Sequence, residues 1–447
     1  MITPDQLGPF QSALACLQSG FASLPAADPP AMTMEDVQAL EAVARRLQSE
    51  NPYQHPLYVG QMLQPPHPVS HLAYTLAMCL NPNNHALDGG RMTSGMEVEC
   101  IRQLEAMVGW SQCLGHLCGG GTLANFEALW VAREVADRPG VAASSQAHYT
   151  HQRLCGVLQV PFHAIQVDRQ GRMDLMCLEE QLRAGAIGTV VATLGTTGLG
   201  AVDPLHELIP LQERYGFRLH VDAAYGGYFR LAENLRSETR QAFAAMSLVD
   251  SIVIDPHKRG LQPYGCGCVL FRDPAVAKVY RHDSPYTYFT PGDLHLGEIS
   301  LECSRSGAAA AALWATLQAF PLVPQGRFAR LLESSRMAAL EFTRWLHQHP
   351  DWVPVIDPEL DIVNWIVASE SASESSRLAQ QMFDAAARQG VHLALLTVPQ
   401  CLAQACGAVA DWDQETVRCL RATVMKAEHQ AWMPEIISRL EAAAAAL

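Results

Sequence analysis

The chain has 447 residues, of which 49% are hydrophobic and 17% charged, and its formal net charge is −14. That length allows two or three domains around a sizeable core, and the apolar content argues against wholesale disorder. The acidic balance shows no basic patch suited to nucleic acid, and no apolar run approaches the ~18 residues of a membrane span.

Residues 1–50 read as helices broken by a Pro-rich stretch at 25–30. Residues 1–18 hold Asp5 and no Lys or Arg, so they do not read as a secretory signal. In 34–47, the positions Val37, Leu40, Val43, Ala44 and Leu47 recur with a helical period. A loop rich in Pro and His follows, over 52–68. Apolar runs at 189–194, 218–221, 251–254 and 268–271 then alternate with helical segments such as 205–215. Alternation of this kind predicts an α/β fold with a mostly parallel sheet and helices on both faces. Ligands in such sheets bind beyond the carboxyl ends of the strands.

From about 321 the pattern changes to a smaller α+β unit. It holds a helix at 326–347, a strand at 362–367, a helix at 376–389, strands at 391–397 and 419–425, and a last helix. The expected division is a helical segment 1–51, a large domain 52–320 and a small domain 321–447. The 13 Cys residues form no disulfide or zinc framework. No metal is expected, and a reduced, cytoplasmic protein is the default.

Several polar segments fall beside these predicted elements. Lys258 lies in Asp255-Pro256-His257-Lys258, directly after the run 251–254. Taken alone, a lysine is usually a solvated surface residue; in a dry or cationic site it becomes a nucleophile. Asp222 lies in His220-Val221-Asp222-Ala223-Ala224-Tyr225-Gly226-Gly227 and again follows a strand. It could be a turn residue, or the partner of a protonated pyridine nitrogen, with small neighbours leaving room for a flat ring. Gly119-Gly120-Gly121-Thr122 opens a helix-like run, so backbone N–H groups and a helix dipole face an anion. The same glycines match G-x-G-x-x-A through Ala124, which keeps a NAD-binding oxidoreductase as a remote alternative. His148 is expected in a polar loop after a helix, where an imidazole could stack on a flat ring. Gly195-Thr196-Thr197-Gly198 is a hydroxyl-rich turn at another strand end.

In this order, the glycine turn, His148, Gly195-Thr196-Thr197, HVDAAYGG and DPHK resemble the group II pyridoxal 5′-phosphate (PLP)-dependent amino-acid decarboxylases. The resemblance runs by motif from about Pro52 to Leu317 and more loosely through Leu420–Met425. It implies a PLP fold type I enzyme that releases CO2 and an amine from an L-amino acid. Lys258 would form the internal Schiff base, Asp222 would pair with the pyridine nitrogen and His148 would stack on the ring. Gly120, Gly121 and Thr122 would hold the phosphate, helped by His257 and Asp255. Thr197 would sit beside the ring substituents, and Ala224 against its other face.

The resemblance also implies a homodimer with the active site at the subunit interface. The segment 283–289 is similar to the family's catalytic loop, in which a tyrosine protonates the substrate carbanion. Tyr286 fits that place best and Tyr288 second. Arg305, in a Ser-Arg-Ser-Gly turn, is expected to contact substrate or loop. Gln61, in a segment similar to the loop at the mouth of the substrate site, favours an acidic substrate slightly over an aromatic one. Arg259 stands where relatives carry apolar residues, which predicts an unusually cationic wall. The same set of groups serves PLP-dependent lyases, aminotransferases and decarboxylating aldehyde synthases, and fold alone does not separate them.

Overall fold

Short β-rich runs alternating with amphipathic helices build a seven-stranded sheet in the computed structural model, which describes residues 2–25, 30–86, 89–281 and 300–447. Its strands are β1 (Leu114–Cys118), β2 (Gly140–Ser144), β3 (Phe162–Ile165), β4 (Ile187–Thr193), β5 (Arg218–Asp222), β6 (Ser251–Ile254) and β7 (Gly267–Phe271). The order across the sheet is β1-β7-β6-β5-β4-β2-β3. From β3 to β6 every pairing is parallel, whereas β7 runs antiparallel to both β6 and β1. Most strand residues are buried, as expected for a sheet covered by helices on both faces.

The predicted strands at 189–194, 218–221, 251–254 and 268–271 correspond to β4, β5, β6 and β7. The first three strands were not expected, because β1 and β2 are rich in Gly, His, Cys, Ala and Ser rather than β-branched residues. One consequence concerns His148. It follows strand β2, not a helix, and so stands at the carboxyl end of the same sheet.

The C-terminal part adds β8 (Trp352–Pro354), β9 (Ile362–Val367), β10 (Ser369–Ser371), β11 (Ala394–Pro399), β12 (Val409–Asp411) and β13 (Thr416–Thr423). Four of these form an antiparallel sheet in the order β11-β13-β9-β8. Helices Arg327–Leu346, Ala372–Arg388 and His429–Ala445 cover it around a core that includes Phe342, Trp365, Met382 and Ile436. Each such buried side chain contributes about 1.5–3 kcal/mol. Residues 57–60 join this sheet rather than the large one: Val59 N–H donates to His392 O (2.9 Å) and Thr423 N–H to Val59 O (2.7 Å).

The helix Met34–Leu47 forms as its periodicity predicts, closed at its start by a Thr33–Asp36 capping box. Its apolar stripe nevertheless faces solvent: Val37, Leu40, Val43 and Leu47 are all exposed. Among the described residues, no helix is long and apolar enough to cross a membrane.

Candidate active site

The parallel strands β5 and β6 end side by side, with Asp222 in register with Val253. The pairing continues past both ends, through Ala223 N–H to Val253 O (3.0 Å) and Asp255 N–H to Ala224 O (3.2 Å). Pro256 then starts the short helix Pro256–Arg259, where its fixed φ and missing N–H suit the first turn. This turn carries Lys258 into a cleft of about 660 Å³. Lys258 Nζ lies 3.1 Å from Asp255 Oδ2. Burial works to lower the pKa of this amine, but the Asp255 and Asp222 carboxylates outweigh it and hold it above the usual lysine value.

Asp222 forms the floor opposite. Burial works against its charge, yet His151 donates to Oδ2 (2.9 Å) and Ala224 N–H to Oδ1 (3.1 Å). Together with the Lys258 charge, these hold the carboxyl below the usual carboxylate range. His148 also lines the cleft, and burial pushes its pKa down, so it presents a neutral ring.

At the far end, β1 leads through Gly119 and Gly120 into the helix Gly121–Val135, which has no side-chain cap. The first backbone bond of that helix is Ala124 N–H to Gly120 O (3.0 Å), so the N–H groups of Gly121, Thr122 and Leu123 precede its hydrogen-bonded ladder. Gly120 has φ +148°, and a Cβ there would stand 3.1 Å from His257 Cε1. His257 is itself kept neutral chiefly by burial, and its buried Nδ1 has no hydrogen-bond partner among the described residues. Behind this turn, Asn125 donates to Gly121 O (2.8 Å) and pairs through Oδ1 with His220 Nε2 (2.8 Å), tying the helix start to β5.

Ten residues singled out in the sequence line this one cleft: Gly120, Gly121, Thr122, His148, Thr197, Asp222, Ala224, Asp255, His257 and Lys258. Others lie elsewhere. Gln61 is exposed and is not part of the cleft lining. Arg305 is buried beneath the glycine turn, 2.6 Å from Glu97 Oε1, and donates to the carbonyls of Leu117 (2.8 Å) and Asn84 (2.7 Å). These bonds tie Arg305 to the scaffold under the glycine turn, and the loop it was expected to contact lies outside the described residues. Arg259 does not make the wall cationic, for it turns away from the cleft to pair with Asp361 at 2.9 Å. Asp255 lies between Lys258 and the glycine turn, its Oδ2 3.1 Å from Lys258 Nζ and close enough to Gly121 that a Cβ there would stand 2.5 Å away. Tyr286 and Tyr288 lie outside the described residues.

Two residues of the site escaped the sequence reading. His151 follows His148 by three positions, and that i, i+3 spacing at a helix start was the available signal. Tyr264 lines the cleft with its ring 5.0 Å from that of His257; nothing in its Pro-Tyr-Gly setting marked it.

This geometry fits a flat, anionic, carbonyl-bearing cofactor: an amine, an ionised carboxylate across from it, and an uncapped helix start beside an unpartnered imidazole nitrogen. Comparison with known proteins agrees. Residues 61–325 match the model of the pyridoxal-dependent decarboxylase conserved domain. The chain belongs to the pyridoxal-dependent decarboxylase family. This decarboxylase is 29% identical to the L-tyrosine decarboxylase of Enterococcus faecium, over 78% of this chain and 75% of that protein. It is 31% identical to the aspartate 1-decarboxylase of Aliivibrio fischeri, over 56% of this chain and 50% of that protein. Its fold matches the crystal structure of Oryza sativa TDC with PLP and tryptamine at a TM-score of 0.78 and 17% identity, covering 99% of both chains.

The decarboxylase therefore has PLP fold type I and uses pyridoxal 5′-phosphate to act on an amino acid. With pyridoxal 5′-phosphate as the cofactor, the dinucleotide alternative falls away.

Proposed function

We propose that this enzyme decarboxylates an L-amino acid to its amine, with Lys258 as the attachment point of the cofactor. The observation that carries this reading is the placing of Lys258 and Asp222 at the carboxyl ends of adjacent parallel strands, facing one cleft. Pyridoxal phosphate, when bound, supplies an electron sink for the pair left behind as CO2 departs.

The chain's own groups divide the remaining work. Asp222, kept ionised by His151, holds a proton on the pyridine nitrogen. His148 would pack its neutral imidazole against the cofactor's ring, and Ala224, small, would leave room for it. The N–H groups of Gly121 and Thr122, the Thr122 hydroxyl and His257 hold the phosphate, with Gly120 allowing the close approach. Thr197 flanks the ring substituents. Lys258, which would hold the cofactor, has its amine where it would also carry a proton near the substrate's Cα. Tyr286 is the second proton donor in this reading, reaching from the partner subunit. Without it the reaction would drift towards aldehyde, with dissolved O2 as the two-electron oxidant and CO2, ammonia and hydrogen peroxide as co-products.

A homodimer is part of the proposal. The exposed apolar stripe of the helix Met34–Leu47 supports it, because that much apolar surface on an amphipathic helix calls for a partner. The thirteen free thiols are consistent with the cytoplasm.

For the substrate we favour a side-chain carboxylate, as in aspartate. The aspartate 1-decarboxylase relative points the same way. The second reading is an aromatic amino acid, favoured by Phe126, Tyr149 and Tyr264 in the cleft lining and by the tyrosine decarboxylase relative.

Incubation with a panel of acidic and aromatic L-amino acids, measuring CO2, amine and aldehyde, separates these readings. Amine and CO2 in equal amounts from one class are expected. Keto acid without CO2 would overturn decarboxylation. Lys258→Ala is expected to lose the visible absorption of the lysine-bound cofactor; retention of that band would remove Lys258 from its role.

A further inference from the structure

Arg259 follows Lys258 in the chain, yet its side chain leaves the cleft and is almost wholly buried. Its guanidinium reaches three parts of the C-terminal half. It pairs with Asp361 Oδ2 (2.9 Å) at the start of β9, and donates to Met425 O (2.7 Å) just beyond β13. It also donates to Ser335 Oγ (2.7 Å) on the helix Arg327–Leu346. The ring of Phe229 packs against the same cation at 5.0 Å.

The other oxygen of Asp361 accepts from the Tyr225 hydroxyl at 2.5 Å. Tyr225 lies three residues after Asp222 and lines the cleft. One carboxylate on the small sheet therefore holds both sides of the cleft: the Lys258 turn through Arg259, and the Asp222 segment through Tyr225. Asp361 is fixed in turn by its own backbone, whose carbonyl accepts from Val424 N–H (3.0 Å).

Exchange of a buried ion pair for apolar side chains is often neutral or stabilising, so stability alone gives little reason for this one. We propose that Asp361 is a positioning residue for the reaction, setting the Lys258 amine relative to Asp222 by way of Arg259 and Tyr225. The inference rests on Lys258 being the cofactor's attachment point. It assigns the small sheet a direct part in the geometry of the reacting groups.

The test uses the full-length holoenzyme and the panel amino acid that turns over fastest. Single variants Arg259→Met and Asp361→Asn each leave a buried group unpaired, so the decisive protein is the double variant, which removes both charges together. It is expected to fold with nearly unchanged Tm and KM. Its kcat is expected to fall on the order of tenfold to a hundredfold, as small misplacements of reacting groups do. The midpoint of the pH titration of its visible band should also shift, because Lys258 then stands differently towards its neighbours. Arg259→Lys, which keeps the charge, should recover part of both.

Wild-type kcat and an unmoved band in a folded double variant would overturn the proposal. If the double variant does not fold, Tyr225→Phe is read in the same way, since it leaves the ion pair in place and removes a single hydrogen bond. Unchanged kcat and band in Tyr225→Phe would then overturn the proposal, and a lower kcat at unchanged KM would support it. Failure of the Lys258 assignment is seen separately, as a visible band that survives Lys258→Ala.

Discussion

His151 Nε2 donates to Asp222 Oδ2 across 2.9 Å, and both side chains are buried. The histidine lets a carboxylate stay charged where burial alone would neutralise it.

Replacement of His151 by Leu removes that donor and leaves the carboxylate to Ala224 N–H and Lys258. The Asp222 pKa should rise and its pairing with the cofactor weaken. A buried charge that loses one strong hydrogen bond costs about 1–3 kcal/mol. A kcat lower by roughly tenfold to a hundredfold is expected, with faster loss of cofactor on dialysis. Wild-type kcat and cofactor retention would refute this.

Gly120 combines φ +148° with a contact that a side chain would fill, 3.1 Å from His257 Cε1. Gly120→Ala should cost about 1–3 kcal/mol in backbone strain and crowding, read as a weaker Kd for pyridoxal phosphate by fluorescence titration. At Gly119 a Cβ would meet nothing closer than Glu302 Oε1 at 3.5 Å. Gly119→Ala should therefore be much milder, and equal losses at the two positions would contradict the account.

Two buried histidines make the fold acid-sensitive. Burial, the largest cause, takes His220 and His429 down to about 3. His220 pairs with Ser251 Oγ and Asn125 Oδ1, and His429 with Lys426 N–H and Pro56 O, all partners of a neutral ring. The unfolded chain binds these protons near pH ~6.5 and the native chain does not. Stability should be full above that pH and fall as pH drops from about 6.5 towards about 3. Urea melts at pH 7 and pH 5 measure this loss. His429→Gln should shrink the difference between the two; an unchanged difference would count against it.

Arg305 and Glu97 form a buried pair at 2.6 Å beneath the glycine turn. Arg305→Met takes the cation from the buried Glu97 carboxylate and leaves it Asn84 and the Leu117 N–H; breaking such a pair costs about 3–5 kcal/mol. A lower Tm with an unchanged substrate KM is expected. A raised KM at unchanged Tm would return Arg305 to the substrate role expected from the sequence.

The chemistry was more legible than its supports. Lys258, Asp222 and the glycine turn stand in short motifs at strand ends, where local residue order alone defines the setting. His151, Tyr264 and the Arg259–Asp361 pair did not stand out, because their partners lie far away in the chain and no local pattern encodes them. Arg259 shows the difficulty most clearly: its neighbour in sequence faces the cleft, while its own side chain points the opposite way, towards β9. In the same way, the small residues of β1 and β2 become strands through burial between helices, not through β propensity. The helix Met34–Leu47 was visible from its period, but its exposed stripe was not.

The insertion of residues 57–60 beside the C-terminal sheet has a consequence for biosynthesis. Arg421 donates to Gly60 O across 361 positions of chain. A ribosome adding about 5–20 residues per second needs roughly 20–70 s to make the strand that completes this contact. Until then the nascent N-terminus has no sheet to join and must be kept from aggregation. Low temperature or chaperone supply during expression should therefore govern the yield of this protein more than the stability of its finished core does.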